Sequence, residues 1–134
     1  MGSFADFLEN ELLDHVFGAA AYTAPATLYI GFSTTTITDA GGNITEPSGN
    51  NYSRIAVTNN ATNFPAASGG AKSNGVAFTS ATASGSWGTL TDVFISDASS
   101  GGNVLAHDVM TTALAVGSGG VVNIAVGELD ITLD

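Results

Sequence analysis

From Thr27 onward the sequence is a succession of short runs in which apolar and polar residues alternate, separated by clusters of Gly, Ser, Asn and Asp. In "TLYIGFS" Leu28, Ile30 and Phe32 fall on one side, Tyr29 and Gly31 on the other. A period of two marks a half-buried strand and does not match the 3.6-residue repeat of a helix. The same reading applies to "YSRIAVT" (52–58, Ile55 and Val57 inward), "VAFTS" (76–80) and "SWGTLTDVFIS" (86–96, read as two pieces). It extends to "NVLAHDV" (103–109), "TALAV" (112–116), "VVNIAV" (121–126) and "LDITL" (129–133). "DASSGGN" and "GSGG" read as hairpin links, and Asn74-Gly75 as a two-residue hairpin turn. Residues 34–51 read as a long, turn-rich connection. About seven to nine short strands, with turns every 8–12 residues or so, predict an all-β fold. The expected architecture is an antiparallel β-sandwich or jelly-roll-like domain, with residues 1–134 forming a single domain.

One segment departs from this pattern. "SFADFLENELLDHVFG" predicts an amphipathic helix over residues 4–17, with Ser3 as cap, Asp6 three residues on, and Gly18 as stop. At 100° per residue, Phe4, Phe7, Leu8, Leu12 and Val16 share a broad arc. Leu13 and Phe17 form a second patch on the far side, and Glu11 and His15 are spaced to pair. Either the last turn is buried on all sides, or the arc covers the chain's own sheet while Leu13 and Phe17 touch a neighbouring molecule.

Charge narrows the function classes. Twelve acids face only Arg54 and Lys72, for a net charge of −10. Binding to nucleic acid or to anionic membrane needs several basic contacts, so both partners are excluded. No run approaches about 18 consecutive apolar residues, the length needed to span a bilayer. Asp6, Glu9 and Glu11 stand where a secretory signal would carry positive charge, so none is expected. The absence of cysteine excludes disulfides and thiolate metal sites. Arg54, so rare a cation, is expected to have a carboxylate partner, more readily within the chain than across an interface.

Catalytic constellations are weak. His15 and His107 are the only imidazoles, and no G-x-S-x-G elbow is present. Asp92 with Asp97, or Asp108 with Glu128, supply carboxylate pairs of the kind used on glycosides, but these residues serve equally as turn formers. Asp39, Asn43 and Glu46 in "DAGGNITE", and Asp97 and Asn103 in "DASSGGN", offer oxygens suited to calcium. Neither loop matches an EF-hand or a calcium-binding repeat. The expectation is no catalytic residues, no metal and no cofactor.

Several stretches together resemble small virion proteins of tailed bacteriophages. They are "FADFLENELLDHVFG", "AYTAPATLYIGFST", "EPSGNNYSRIAVTNNATNFPAA", "KSNGVAFTSATASGSWGTLTDVFISDA" and "GELDITLD". Members of that group are commonly labelled tail fibre proteins, and others resemble capsid cement or decoration proteins. The resemblance implies a non-enzymatic structural protein of the virion, made in the host cytoplasm. The leading expectation is a cement protein on the capsid surface, a homotrimer bound to the major capsid protein. The alternative is a tail-tip or fibre-associated module that recognises host-surface glycan. The expected partner contacts are Phe4, Phe7, Leu8, Leu13 and Phe17, with Arg54, Phe64 and Trp87 as further candidates. Removing residues 1–17 is expected to leave a folded sandwich.

Overall fold

The computed structural model describes residues 2–133. In chain order its elements are β1 (Ser3–Phe4), α1 (Asp6–Phe17), β2 (Thr27–Ser33), β3 (Ile55–Thr58) and β4 (Ala71–Ser73). They continue with β5 (Phe78–Thr79), β6 (Gly88–Ser96), β7 (Val104–Val116), β8 (Asn123–Ile124) and β9 (Asp130–Thr132). Five strands form one antiparallel sheet in the order β1-β7-β6-β2-β3, and two ribbons, β4-β9 and β5-β8, complete the sandwich-like arrangement. A lone parallel bridge between Gly2 and Ile131 ties the edge of the large sheet to the β4-β9 ribbon.

The alternation in β2 acts as the sequence suggests. Leu28, Ile30 and Phe32 enter a core shared with Val57, Phe64, Phe78, Trp87, Leu90 and Ile95, among others. On the opposite face, Gly31 pairs with Phe94. A β-carbon at Gly31 would collide with the Phe94 ring, so the missing side chain is what leaves room for that ring against the strand. Residues 34–51 are sewn over this second face. Ser33 Oγ accepts from the N–H groups of Thr35 and Thr45 at 3.1 and 3.0 Å, and buried Asp92 accepts from Ile37 N–H at 3.1 Å. The buried polar residues Ser33 and Asp92 thus find partners in this loop, while buried Ser96 finds its own, Ala98 N–H and Gly101 C=O, in the loop between β6 and β7.

Several local expectations are corrected. Ser3 does not cap the helix, because it belongs to β1 and pairs with His107. The N-cap is Ala5, which offers no side-chain bond. Backbone neighbours tie this entry instead: Ala5 N–H donates to Leu105 C=O at 2.9 Å, and Asp6 N–H to Asp39 C=O at 3.1 Å. Asp6 and Glu9 in the first turn favour the positive end of the helix dipole. Gly18 ends the helix as expected, its N–H returning to Asp14 C=O.

Residues 86–96 and 103–116 each yield one strand where two pieces were expected. The register between β6 and β7 slips between Leu90↔Leu114 and Asp92↔Val109, which interrupts the alternation without ending the strands. "DASSGGN" does join neighbouring strands, β6 and β7. "GSGG" does not, since β8 pairs with β5. Asn74-Gly75 is not a hairpin turn either: β4 pairs with β9, whereas β5 pairs with β8. Buried Asn74 uses its amide on the backbone, donating to Val76 and Ala125 C=O and accepting from Leu129 N–H. Those bonds replace the turn that an exposed Asn-Gly would make.

Residues 2–17 are not a detachable lid. Ala5 is fully buried, β1 pairs along β7, and Gly2 exchanges backbone bonds with Asp130 and Thr132.

Candidate functional site

The main surface feature is an apolar groove of about 620 Å³ between α1, the 59–72 segment and the ends of β7 and β9. Leu8 and Leu12 form one wall, Phe64 and Ala67 the other, and Leu28, Leu105 and Ile131 lie between. Lys72 is the one charged residue lining it, and its ammonium donates to Phe64 C=O at 3.2 Å. A second hollow of about 310 Å³, lined by Glu9, Leu13, Val16 and Phe17, adjoins the first, and the two share Phe4, Leu12 and Leu133. Together they make one apolar surface running from the groove onto the outer side of α1.

Helical geometry explains the shape of this surface. Phe7 and Leu8 pack against the core, and no residue of α1 is fully buried. Leu13, Val16 and Phe17 are 55%, 59% and 83% exposed. The last turn is therefore not buried on all sides, and Val16, expected to cover the sheet, stands on the outer face. Phe4 reaches the groove from β1, not from the helix. Large apolar residues exposed side by side next to a groove mark an interaction surface more often than a solvated one.

The other candidate contacts lie inside the chain. Trp87 is buried, donates its indole N–H to Asn50 C=O at 2.9 Å, and meets Tyr52 edge-on at 5.2 Å between centroids. Phe64 is buried against Phe78, with only a margin on the groove.

Arg54 has the carboxylate partner expected within the chain. Its Nε and Nη2 donate to Glu46 Oε1 and Oε2 at 3.0 and 2.7 Å, and Nη1 donates to the carbonyls of Ala98 and Gly101. Its guanidinium lies 4.9 Å above the Phe94 ring centre, a cation–π contact in a desolvated setting. Tyr52 extends the network, donating to Glu46 Oε1 at 2.8 Å and accepting from Phe32 N–H at 3.0 Å. Burial, and then the neighbouring Glu46, push the Tyr52 phenol well above its ordinary range.

The candidate carboxylates are occupied locally. Asp97 accepts from the backbone and side-chain amides of Asn103, Glu128 from Ala125 N–H, and Asp108 from Val109 N–H. Asp108 and Glu128 do line the same clefts, alongside His107 and Asp130 in one of about 50 Å³. In the calcium-type loop Glu46 is drawn away to Arg54, and Asn43 donates its amide to Thr36 C=O. His15 Nδ1 accepts from Tyr22 N–H, while His107 lies on β7, paired with Ser3. Among the described residues no group of three or more His, Asp or Glu side chains is arranged to hold a metal ion. Among them too, no helix is long and apolar enough to cross a membrane.

The groove was not visible in the sequence. Its walls come from residues spread from Phe4 to Leu133, and only the lone lysine and the apolar positions 131 and 133 hinted at it.

Residues 3–132 match the family model described as podophage GP4 fiber I protein gp80. Comparison with curated proteins gives no match. The match spans nearly the whole chain, and the chain belongs to that family, a family of phage virion proteins.

Proposed function

We propose that this member of the podophage fibre family is a non-enzymatic structural subunit of the fibre apparatus, attached to its neighbour through the α1 face. The observation that carries this reading is the groove continued by Leu13, Val16 and Phe17, three large apolar side chains left in solvent. Covering such residues stabilises whichever assembly holds them by mass action, since only the docked state removes them from water. The family, described by a podophage fiber protein, is compatible with this reading.

A second reading is kept because one observation favours it. The described residues form a short, sandwich-like unit with no coiled-coil or β-helical shaft, and the chain carries −10. That shape and charge also suit a cement protein on the capsid surface, as a homotrimer seated on major capsid subunits. Glycan recognition at a tail tip belongs to the fibre reading and would use a polar surface away from α1.

Cryo-electron microscopy of the virion, with the density assigned by this fold, tests the proposal. Density at the fibre or its attachment point is the expected result. Density on the capsid lattice would overturn it in favour of cementing.

A further inference from the structure

We infer that the partner seated on the α1 face is a different protein, one whose contact surface sets Leu- or Phe-type anchors beside lysine or arginine. A second copy of this chain does not meet that description. The inference rests on the docking reading above and adds the chemistry of the partner.

The apolar stripe of α1 is also acidic. Glu9 stands four residues before Leu13 and seven before Val16, and Asp6 stands seven before Leu13, so both acids share the face that carries the anchors. Glu9 lines the hollow with Leu12, Leu13, Val16 and Phe17. Neither of the chain's two basic side chains serves these acids. Arg54 is held by Glu46 and two carbonyls, and Lys72 donates to Phe64 C=O in the groove.

Charge complementarity then selects the occupant. A surface that covers Leu13 and Phe17 brings its own side chains against Asp6 and Glu9, and like charges there oppose contact while Lys or Arg favours it. A second copy would bring another net −10 and the same acid-bearing stripe, with Lys72 in the groove as its one cation outside an ion pair among the described residues. A basic, apolar partner would instead be drawn in over a distance set by salt screening.

Two labelled helical peptides of equal length and identical Leu/Phe spacing test this, one with Lys and Arg between the anchors and one with Glu. Binding to the full chain is read by fluorescence anisotropy. The basic peptide should bind about tenfold tighter or better, a preference that fades between about 0.05 and 0.5 M NaCl. Asp6→Asn with Glu9→Gln should remove the preference, while Asp14→Asn, on the same helix but off this face, should leave it. Equal binding of both peptides, or no binding of the basic one, overturns the inference. Sedimentation that shows self-association abolished by Phe17→Ser also overturns it, since the occupant is then a second copy and the docking reading stands. Peptide binding that ignores Phe17→Ser overturns the docking reading as well.

Discussion

Arg54 and Glu46 meet through two parallel hydrogen bonds, with the arginine side chain only 6% exposed and the glutamate 25%. The pair also anchors the carbonyls of Ala98 and Gly101, so it fastens the 34–51 connection to the β6–β7 hairpin loop. Arg54→Ala leaves a largely buried carboxylate with no countercharge and only the Tyr52 hydroxyl as donor, takes one donor from each of two carbonyls, and should cost about 3–5 kcal/mol. Arg54→Lys keeps the charge but cannot form the fork, and should recover only part of the loss. Urea denaturation of the two variants measures both values. Equal stability of Arg54→Ala and the parent chain would show that the pair contributes nothing net.

Tyr52 makes the fold sensitive to alkali. Its phenol is pushed upward in the folded state by burial first and by Glu46 after, against an unfolded value of about 10. Below that pH both states keep the proton, and the stabilisation is fully present. Above it the unfolded chain releases the proton while the folded chain holds it, so stability falls, by up to about 1.4 kcal/mol per pH unit. Tyr52→Phe should flatten this decline, leaving the smaller share of Tyr22, whose phenol is raised chiefly by burial. At neutral pH the same variant should cost about 1–3 kcal/mol, because Phe32 N–H loses its acceptor. Urea midpoints at several pH values check both effects, and identical slopes for parent and variant would refute the assignment.

Asn74 holds three backbone groups together, one from its own neighbourhood at Val76 and two from the remote 125–129 segment. Asn74→Ala leaves the Val76 carbonyl and the buried Leu129 N–H without their side-chain partner and the Ala125 carbonyl with Glu128 N–H alone, and a loss of about 1–3 kcal/mol is expected. Asn74→Asp should not rescue it, because a carboxylate accepts but cannot donate to the carbonyls. Thermal unfolding of the two variants makes the comparison.

The docking face can be altered without touching the core. Leu13→Ser with Phe17→Ser should change stability by no more than about 0.5 kcal/mol, since both side chains are already in solvent. Incorporation into virions, scored by complementation with the variant gene, should drop sharply. Normal incorporation of a well-folded variant would move the attachment elsewhere.

Deleting residues 1–17 is a different experiment. It removes the β1 edge, the buried Ala5 and the Gly2 bridge together with the helix. The truncated chain should lose its cooperative transition in circular dichroism, and a sharp, parent-like transition would contradict the packing described for β1.

What the sequence discloses follows the range of the forces involved. The facing of Leu28, Ile30 and Phe32, the extent of α1 and the internal partner of Arg54 follow from periodicity and from charge scarcity. Ser3 misled because its cap-like spacing carried no sign that β7 would claim it as an edge strand. Asn74-Gly75 misled for the converse reason: a locally favourable turn gave way to bonds from residues some fifty positions away. The groove has no local signature, since its walls meet only after the ends of the chain come together.

That meeting of the ends has a mechanical side. Gly2 N–H donates to Asp130 C=O, while Thr132 gives Gly2 C=O both its N–H and its hydroxyl. The two segments run parallel where they bridge, so tension drawn through the chain's ends slides one along the other. The bonds then share the load instead of opening in turn. Pulling at the termini would strain this clasp as a unit before it reached the sheet.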